Sequence, residues 1–256
     1  MFAFNRKTRK LYYEDPHLDR CQAKVTRIGA ANIEFDTTVA YPEGGGQDAD
    51  HGTIGLADGR LIRFIHAKKL YGNRTPIDGF PDIQLDGIIE HIIHPDDVQL
   101  LAEVREGQEV EIKIDRLRRA QLSLSHTASH LVYLGVQAVR PDAVDWTLGC
   151  HIRTDAARFD FGIKDRISEE QLQEIEKLAN AFIARGSEVM VYSHASYSDA
   201  RYWECESNVI PCGGTHIQST APISQIKVRR KSMGTGKERV SCTFDQATYD
   251  VNSFHA

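Results

Sequence analysis

With 256 residues, 41% of them hydrophobic and 26% charged, the chain can build one large core or two ordinary ones, and its composition is globular rather than disordered. A formal net charge of −5 excludes a protein that is basic throughout, so any nucleic-acid contact must come from local patches. No apolar stretch approaches the roughly 20 residues of a membrane span, the apolar run after Met1 is too short for a signal peptide, and five cysteines without a CxxC pair argue against a disulfide framework, so a cytoplasmic location is expected.

Along the chain, the first ~115 residues read as mostly β, because short Val-, Ile- and Phe-rich segments alternate with Gly, Pro, Asp and Asn. Strands are expected at 22–28, 32–39, 52–57, 61–67, 85–93 and 109–114. Six short strands without a long helix suggest a small barrel. Composition changes at Asp115, where Leu117, Ala120, Leu124, Ala128, Leu131 and Val139 recur at helical spacing. The resulting amphipathic helix puts His126 and His130 opposite the apolar stripe, beside Arg119, Ser123, Tyr133 and Gln137, facing solvent or a cleft.

Further on, 147–152 and 158–162 look like paired strands. Ser168 and Gln171 form a capping box for a helix with Leu172, Ile175, Leu178, Phe182 and Ile183 on one face, closed by Gly186. A strand at 188–193, a short helix at 195–203 and strands at 223–229 and 239–244 complete an α+β second half. Two domains are expected, 1–114 and 115–256.

Three constellations could carry chemistry. His126 and His130 lie one helical turn apart, and Cys212 and His216 have the same i, i+4 spacing, so together they offer three imidazoles and a thiolate, a set suited to Zn²⁺. Each pair alone also fits a bland reading: solvated surface histidines for the first, a tight turn with an incidental buried Cys for the second. Position 127 is Thr, so the general-base Glu of the HExxH peptidases is missing. Gly44, Gly45 and Gly46, followed by Gln47, make a loop whose N–H groups can approach a phosphate or carbonyl oxygen, or simply a flexible hairpin tip. Thr38 adds a hydroxyl nearby, although a strand Thr is usually structural. Basic residues cluster at 6–10, at 116–119 and at 227–231 with Lys237 and Arg239. The last group could follow a phosphate backbone or be a solvated face.

The order of these motifs resembles the AlaX-type alanyl-tRNA editing proteins, free-standing relatives of the alanyl-tRNA synthetase editing domain. The likeness runs from Thr38-Val-Ala-Tyr-Pro-Glu-Gly-Gly-Gly-Gln47 through His126-Thr-Ala-Ser-His130 and Arg158-Phe-Asp-Phe161 to Cys212-Gly-Gly-Thr-His216 and the segment 232–239. It implies an aminoacyl-tRNA deacylase that hydrolyses tRNA(Ala) wrongly charged with serine or glycine. It also implies an α+β architecture, with a small N-terminal β-barrel and a zinc-containing α/β editing domain of the threonyl/alanyl-tRNA synthetase type. One Zn²⁺ per chain would be held by His126, His130, Cys212 and His216. Thr38 and Gln47 would be catalytic in a pocket where Gly44, Gly45 and Gly46 bind substrate, and from the basic clusters Arg119, Lys231 and Lys237 are expected to bind substrate as well. Two departures stand out: Ala40 precedes Tyr41 where an aromatic pair is common, and Cys150 stands where a small hydroxyl residue is frequent.

Four protein ligands would close the zinc shell and make the ion an organiser of the site rather than the activator of water. Hydroxyl discrimination then falls to a hydrogen-bonding group such as Thr38. The length leaves no room for an ATP-dependent charging module, so ATP-independent editing by a monomer is expected. The rival readings are a non-catalytic, zinc-stabilised tRNA-binding module and a metal-dependent hydrolase of small esters.

Overall fold

The computed structural model describes residues 6–80 and 83–256. Its first part is a closed six-stranded barrel. Around the barrel run Glu109–Ile114, Arg20–Ile28, Asn32–Phe35, Ile88–Ile93, Leu61–Leu70 and Gly52–Gly55, every neighbour antiparallel. The strands alternate as a half-buried sheet must. Ile62 and Phe64 point inward between exposed Leu61, Arg63 and Ile65, and Val110, Ile112 and Ile114 do the same on their strand. With Val25, Ile33, Phe35, Ile54 and Ile89 they fill the barrel, each contributing roughly 1.5–3 kcal/mol by burial. Irregular register between Val25 and Arg27 and between Phe64 and His66 bends the strands enough to close, which leaves no sheet edge. The segment Thr37–Thr38 leaves the barrel to pair in parallel with Arg9–Lys10.

The second part is mixed α+β. Asp115 caps the long helix Arg116–Val139 by accepting from Arg118 N at 3.1 Å. The helix Glu169–Arg185 has the expected capping box at Ser168 and Gln171, and Gly186 closes it in the left-handed region at φ 60°. Both helices contribute to one core with a four-stranded antiparallel sheet, ordered Thr147–Ile152, Ala156–Phe161, Glu238–Thr243, Lys227–Ser232. Phe159, Phe161, Val228, Val240 and Cys242 supply the sheet's side of that core. A second sheet joins Val189–His194, Tyr197–Cys205 and Asn208–Pro211. Among the described residues no helix is long and apolar enough to cross a membrane.

Three expectations are corrected. The segment expected as a short helix at 195–203 is the strand Tyr197–Cys205, paired on both sides, with Ala200, Trp203 and Cys205 buried. Its Tyr and Trp content suits a pleated surface, and pairing with two distant strands overrides local helical preference. The strand expected at 223–229 begins at Lys227, because Pro222 sits in a 3-10 turn, Ala221–Ile223. The long helix is not divided into an apolar inner and a polar outer face. Leu117 is 49% exposed, whereas Arg119, Ser123, His126, Thr127 and His130 are all buried. This helix is covered on both sides, and its polar face is buried in a hydrogen-bonded layer.

Candidate functional site

The long helix supplies His126 and His130 one turn apart, their rings nearly parallel with centroids 5.0 Å apart. Cys212 follows the strand Asn208–Pro211, whose end is fixed where Cys212 N donates to Arg201 O at 2.8 Å. Gly213 and Gly214 then turn the chain so that His216 comes back to the same point. Cys212 Sγ lies 3.4 Å from both His126 Nε2 and His216 Nε2, and the donor atoms of all four residues lie within 4.8 Å of one another. A four-coordinate ion with ordinary nitrogen and thiolate bond lengths has N···S edges of about 3.6 Å. His130 Nε2 is buried without a hydrogen-bond partner among the described residues, a cost that an ion would remove. The group can therefore hold a metal ion.

The residues behind the ligands aim them. Thr215 N donates to Gln47 Oε1 at 3.0 Å, which identifies that atom as the amide oxygen. His126 Nδ1, 2.7 Å from the same oxygen, must then carry its proton, leaving the Nε2 lone pair directed toward Cys212. Gln47 Nε2 donates to Thr215 Oγ1 at 3.0 Å, and Ser123 Oγ donates to the same hydroxyl at 2.8 Å. Thr127 Oγ1 holds His216 Nδ1 at 3.2 Å. At Gly214 any Cβ would collide with the His126 ring, so this position requires glycine for close approach. Burial holds His130 down to about 3, lowers His126 and His216, and pushes the Cys212 thiol up to about 12. Without a cation the group is thus neutral; a bound cation would reverse that preference for the thiolate.

Three of the four ligands, His126, His130 and Cys212, form part of the wall of a cavity of about 690 Å³ between the barrel and the second part. From the barrel side come Tyr13, Tyr41, Gly44 and Gly45; from the other side come His126, Ser129, His130, Cys150 and Cys212. The volume suits a ligand of nucleoside size. The glycine-rich loop is clamped rather than loose. Gly44 and Gln47 exchange backbone bonds of 3.1 and 3.0 Å, Ile152 N donates to Gly46 O at 2.7 Å, and the Cys150 thiol donates to Gly45 O at 3.3 Å. Gly46 has φ 83°, and a Cβ there would run into Cys150 Sγ. Among the described residues the Gly45 N–H has no partner.

The other expected site residues are spread differently. Gln47 is 0% exposed and stands behind His126, not in the cavity. Thr38 is also 0% exposed; its hydroxyl accepts from Ala40 N at 3.0 Å and lies 2.9 Å from His91 Nε2, away from the cavity lining. Arg119, expected to bind substrate, is 1% exposed and turned inward. Its Nε donates to Asp50 Oδ2 at 3.0 Å and its Nη2 to Val39 O at 2.7 Å, so its charge is spent fastening the helix to the barrel. Lys231 and Lys237 are exposed near the hairpin turn joining the last two strands and do not line the cavity. The sequence reading missed Tyr13, Lys69, Asp199 and Arg201, all of which line the cavity. Asp199 and Arg201 fall in the segment expected as a helix, where alternation of the strand was the available signal.

No family model matches the chain. It is 31% identical over 236 residues to the alanyl-tRNA editing protein AlaX-M of Pyrococcus horikoshii, an alignment covering 91% of this chain and 96% of that protein. The chain belongs to the AlaX family of alanyl-tRNA editing proteins. It is also similar to alanine–tRNA ligases, at 32% identity over 269 residues for that of Methanopyrus kandleri and 31% over 254 residues for that of Pyrococcus abyssi. This AlaX-family chain spans 27% and 25% of those two ligases.

Proposed function

We propose that this protein hydrolyses mischarged tRNA(Ala), with Ser-tRNA(Ala) as the principal substrate and Gly-tRNA(Ala) as the second. The observation that carries this reading is the cavity itself, which has His126, His130 and Cys212 of the metal-binding group and the clamped glycine loop on its walls. Held by His126, His130, Cys212 and His216, one Zn²⁺ per chain supplies a fixed positive charge that organises this end of the cavity. The unpaired Gly45 N–H is a donor for the oxygen that gains charge as the ester is attacked. Ser129 Oγ is engaged with His126 O at 2.7 Å, so it keeps the helix backbone in register rather than offering a free nucleophile.

Thr38 acts on amino-acid selection from behind the loop, through its hold on Ala40 N. Gln47 positions His126 and Thr215. Lys231 and Lys237 on the exposed hairpin are suited to backbone phosphates of the acceptor arm. We read residues 1–114 and 115–256 as two units; the barrel's buried cluster ends at Ile114 and the second begins at Leu124. The reaction requires no ATP, is carried out by the monomer, and belongs in the cytoplasm, where charged tRNA is used.

The test is to incubate the protein with Ser-, Gly- and Ala-tRNA(Ala) and follow release of the amino acid. Serine and glycine are expected to be released and alanine retained. Binding of all three without release would favour a non-catalytic tRNA-binding module, and hydrolysis of small esters indifferent to tRNA would favour a general esterase.

A further inference from the structure

One wall of the cavity carries Lys69, Asp199 and Arg201. The Asp199 carboxylate is engaged through one oxygen. Its Oδ2 accepts from Lys10 Nζ, from Lys69 Nζ at 3.4 Å and from the Asp86 backbone N–H at 2.7 Å. Two cations, Lys10 and Lys69, thus bind one carboxylate, and a third, Arg201, stands near enough to feel its charge. The other carboxylate on the lining, Glu43, faces His66 at 3.2 Å.

Arg201 is the cation left over. Among the described residues no carboxylate lies within ion-pairing distance of it, and the only hydrogen bond of its side chain, Nη2 to Val191 O, is stretched to 3.5 Å. The guanidinium lies over the Tyr13 ring, its central carbon 4.9 Å from the centroid. Stacking fixes the plane of the fork while leaving most of its five N–H donors unspent. Its guanidinium is partly buried, a desolvation cost that an anion in the cavity would offset.

Its location decides which anion. Arg201 O accepts from Cys212 N, so the residue sits directly across the strand pair from a member of the metal-binding group. Tyr13 Oη stands 3.0 Å from where a Cβ of Gly213 would be, which brings the stacked pair to the same turn. An aminoacyl ester reacting beside Cys212 carries its nearest negative charge one ribose away, within reach of an arginine side chain. The geometry points to Arg201 as the residue that binds the phosphodiester on the 5′ side of the terminal nucleoside, donating from its fork to two phosphate oxygens while Lys69 adds charge. This inference rests on the deacylase reading above.

The experiment uses the full-length, metal-loaded protein and a non-hydrolysable amide, 3′-serylamino-3′-deoxyadenosine, with and without a 5′-phosphate, and measures both affinities by calorimetry at low salt. Wild type is expected to bind the phosphorylated analogue about tenfold more tightly. Arg201→Gln is expected to erase that gain while leaving affinity for the phosphate-free analogue unchanged. Arg201→Lys, which keeps the charge but not the fork, should retain part of it. Equal binding of both analogues by wild type, a full phosphate gain in both variants, or equal weakening of both analogues by Arg201→Gln would each overturn the assignment. Failure of wild type to deacylate Ser-tRNA(Ala) would instead defeat the functional reading, and is seen separately in that assay.

Discussion

Gln47 Oε1 accepts a 2.7 Å hydrogen bond from His126 Nδ1, joining the glycine-rich loop to the metal-binding helix across 79 residues of sequence. The same oxygen takes the Thr215 N–H from the turn that carries Cys212 and His216. One buried amide thus sets the mutual position of both ligand pairs and the loop. Gln47→Ala strips the acceptor from two buried donors at about 1–3 kcal/mol each. Metal affinity is expected to fall about 10–100-fold, read by competition with a chromogenic chelator. An unchanged metal affinity would show that the amide does not aim His126.

Gly214→Ala tests the close approach of backbone to ligand. The added methyl group meets the His126 ring and approaches Gln47 Oε1, neither of which can withdraw without breaking the Gln47–His126 bond. Overpacking of this kind costs roughly 1–3 kcal/mol. The variant should melt at lower temperature and hold less than one equivalent of metal. A Gly214→Ala protein with wild-type melting and metal content would mean that the turn has more room than the contacts imply.

Thr38 separates a stabilising role from a selective one. Thr38→Val removes the acceptor for Ala40 N and the partner of His91, and should destabilise the barrel by about 1–3 kcal/mol. Because Ala40 leads into the loop, the ratio of serine to alanine release should fall as well. Thr38→Ser keeps the hydroxyl and should preserve both properties. A Thr38→Val protein with unaltered selectivity would remove Thr38 from amino-acid discrimination and leave it a barrel residue.

His91 makes the barrel acid-sensitive. Burial lowers its pKa to about 4, against about 6.5 in the unfolded chain. The folded state therefore binds fewer protons than the unfolded state between these values, so stability is present above pH 6.5 and is lost as pH falls toward 4. The full loss from this one group is about 3 kcal/mol. Denaturant titrations at intervals from pH 7 to pH 4 should give a slope that His91→Gln reduces by up to one proton. An unchanged slope in that variant would place the acid sensitivity elsewhere, for instance at His130.

The barrel was legible because its strands carry the simplest signal, inward Ile and Phe alternating with outward polar residues, as in the segment Leu61–Leu70. The two ligand pairs were legible for a similar reason: an i, i+4 spacing is local, closed by one helical turn for His126 and His130 and by the glycine turn for Cys212 and His216. Their convergence was implied by the family resemblance but not legible in the spacing, since it depends on the strand Asn208–Pro211 delivering Cys212 to a helix 86 residues away. Arg119 illustrates the limit most clearly. On an isolated helix it belongs to the polar face; here that face is covered by the barrel and Asp50 meets it. Asp199 and Arg201 were lost with the misassigned strand. The glycine loop suggested close ligand approach or flexibility, yet its Gly46 serves close packing against Cys150.

The most direct measurement is of metal content and Ser-tRNA(Ala) deacylation on one preparation, before chelation, after chelation and after return of Zn²⁺, with Cys212→Ala and His130→Ala alongside. The expected result is one equivalent of zinc per wild-type chain, release of serine that disappears with the metal and returns with it, and two variants that neither hold zinc nor release serine. A metal-free chain, or either variant, that deacylates Ser-tRNA(Ala) at the wild-type rate would contradict the placement of these residues at the centre of the reaction site.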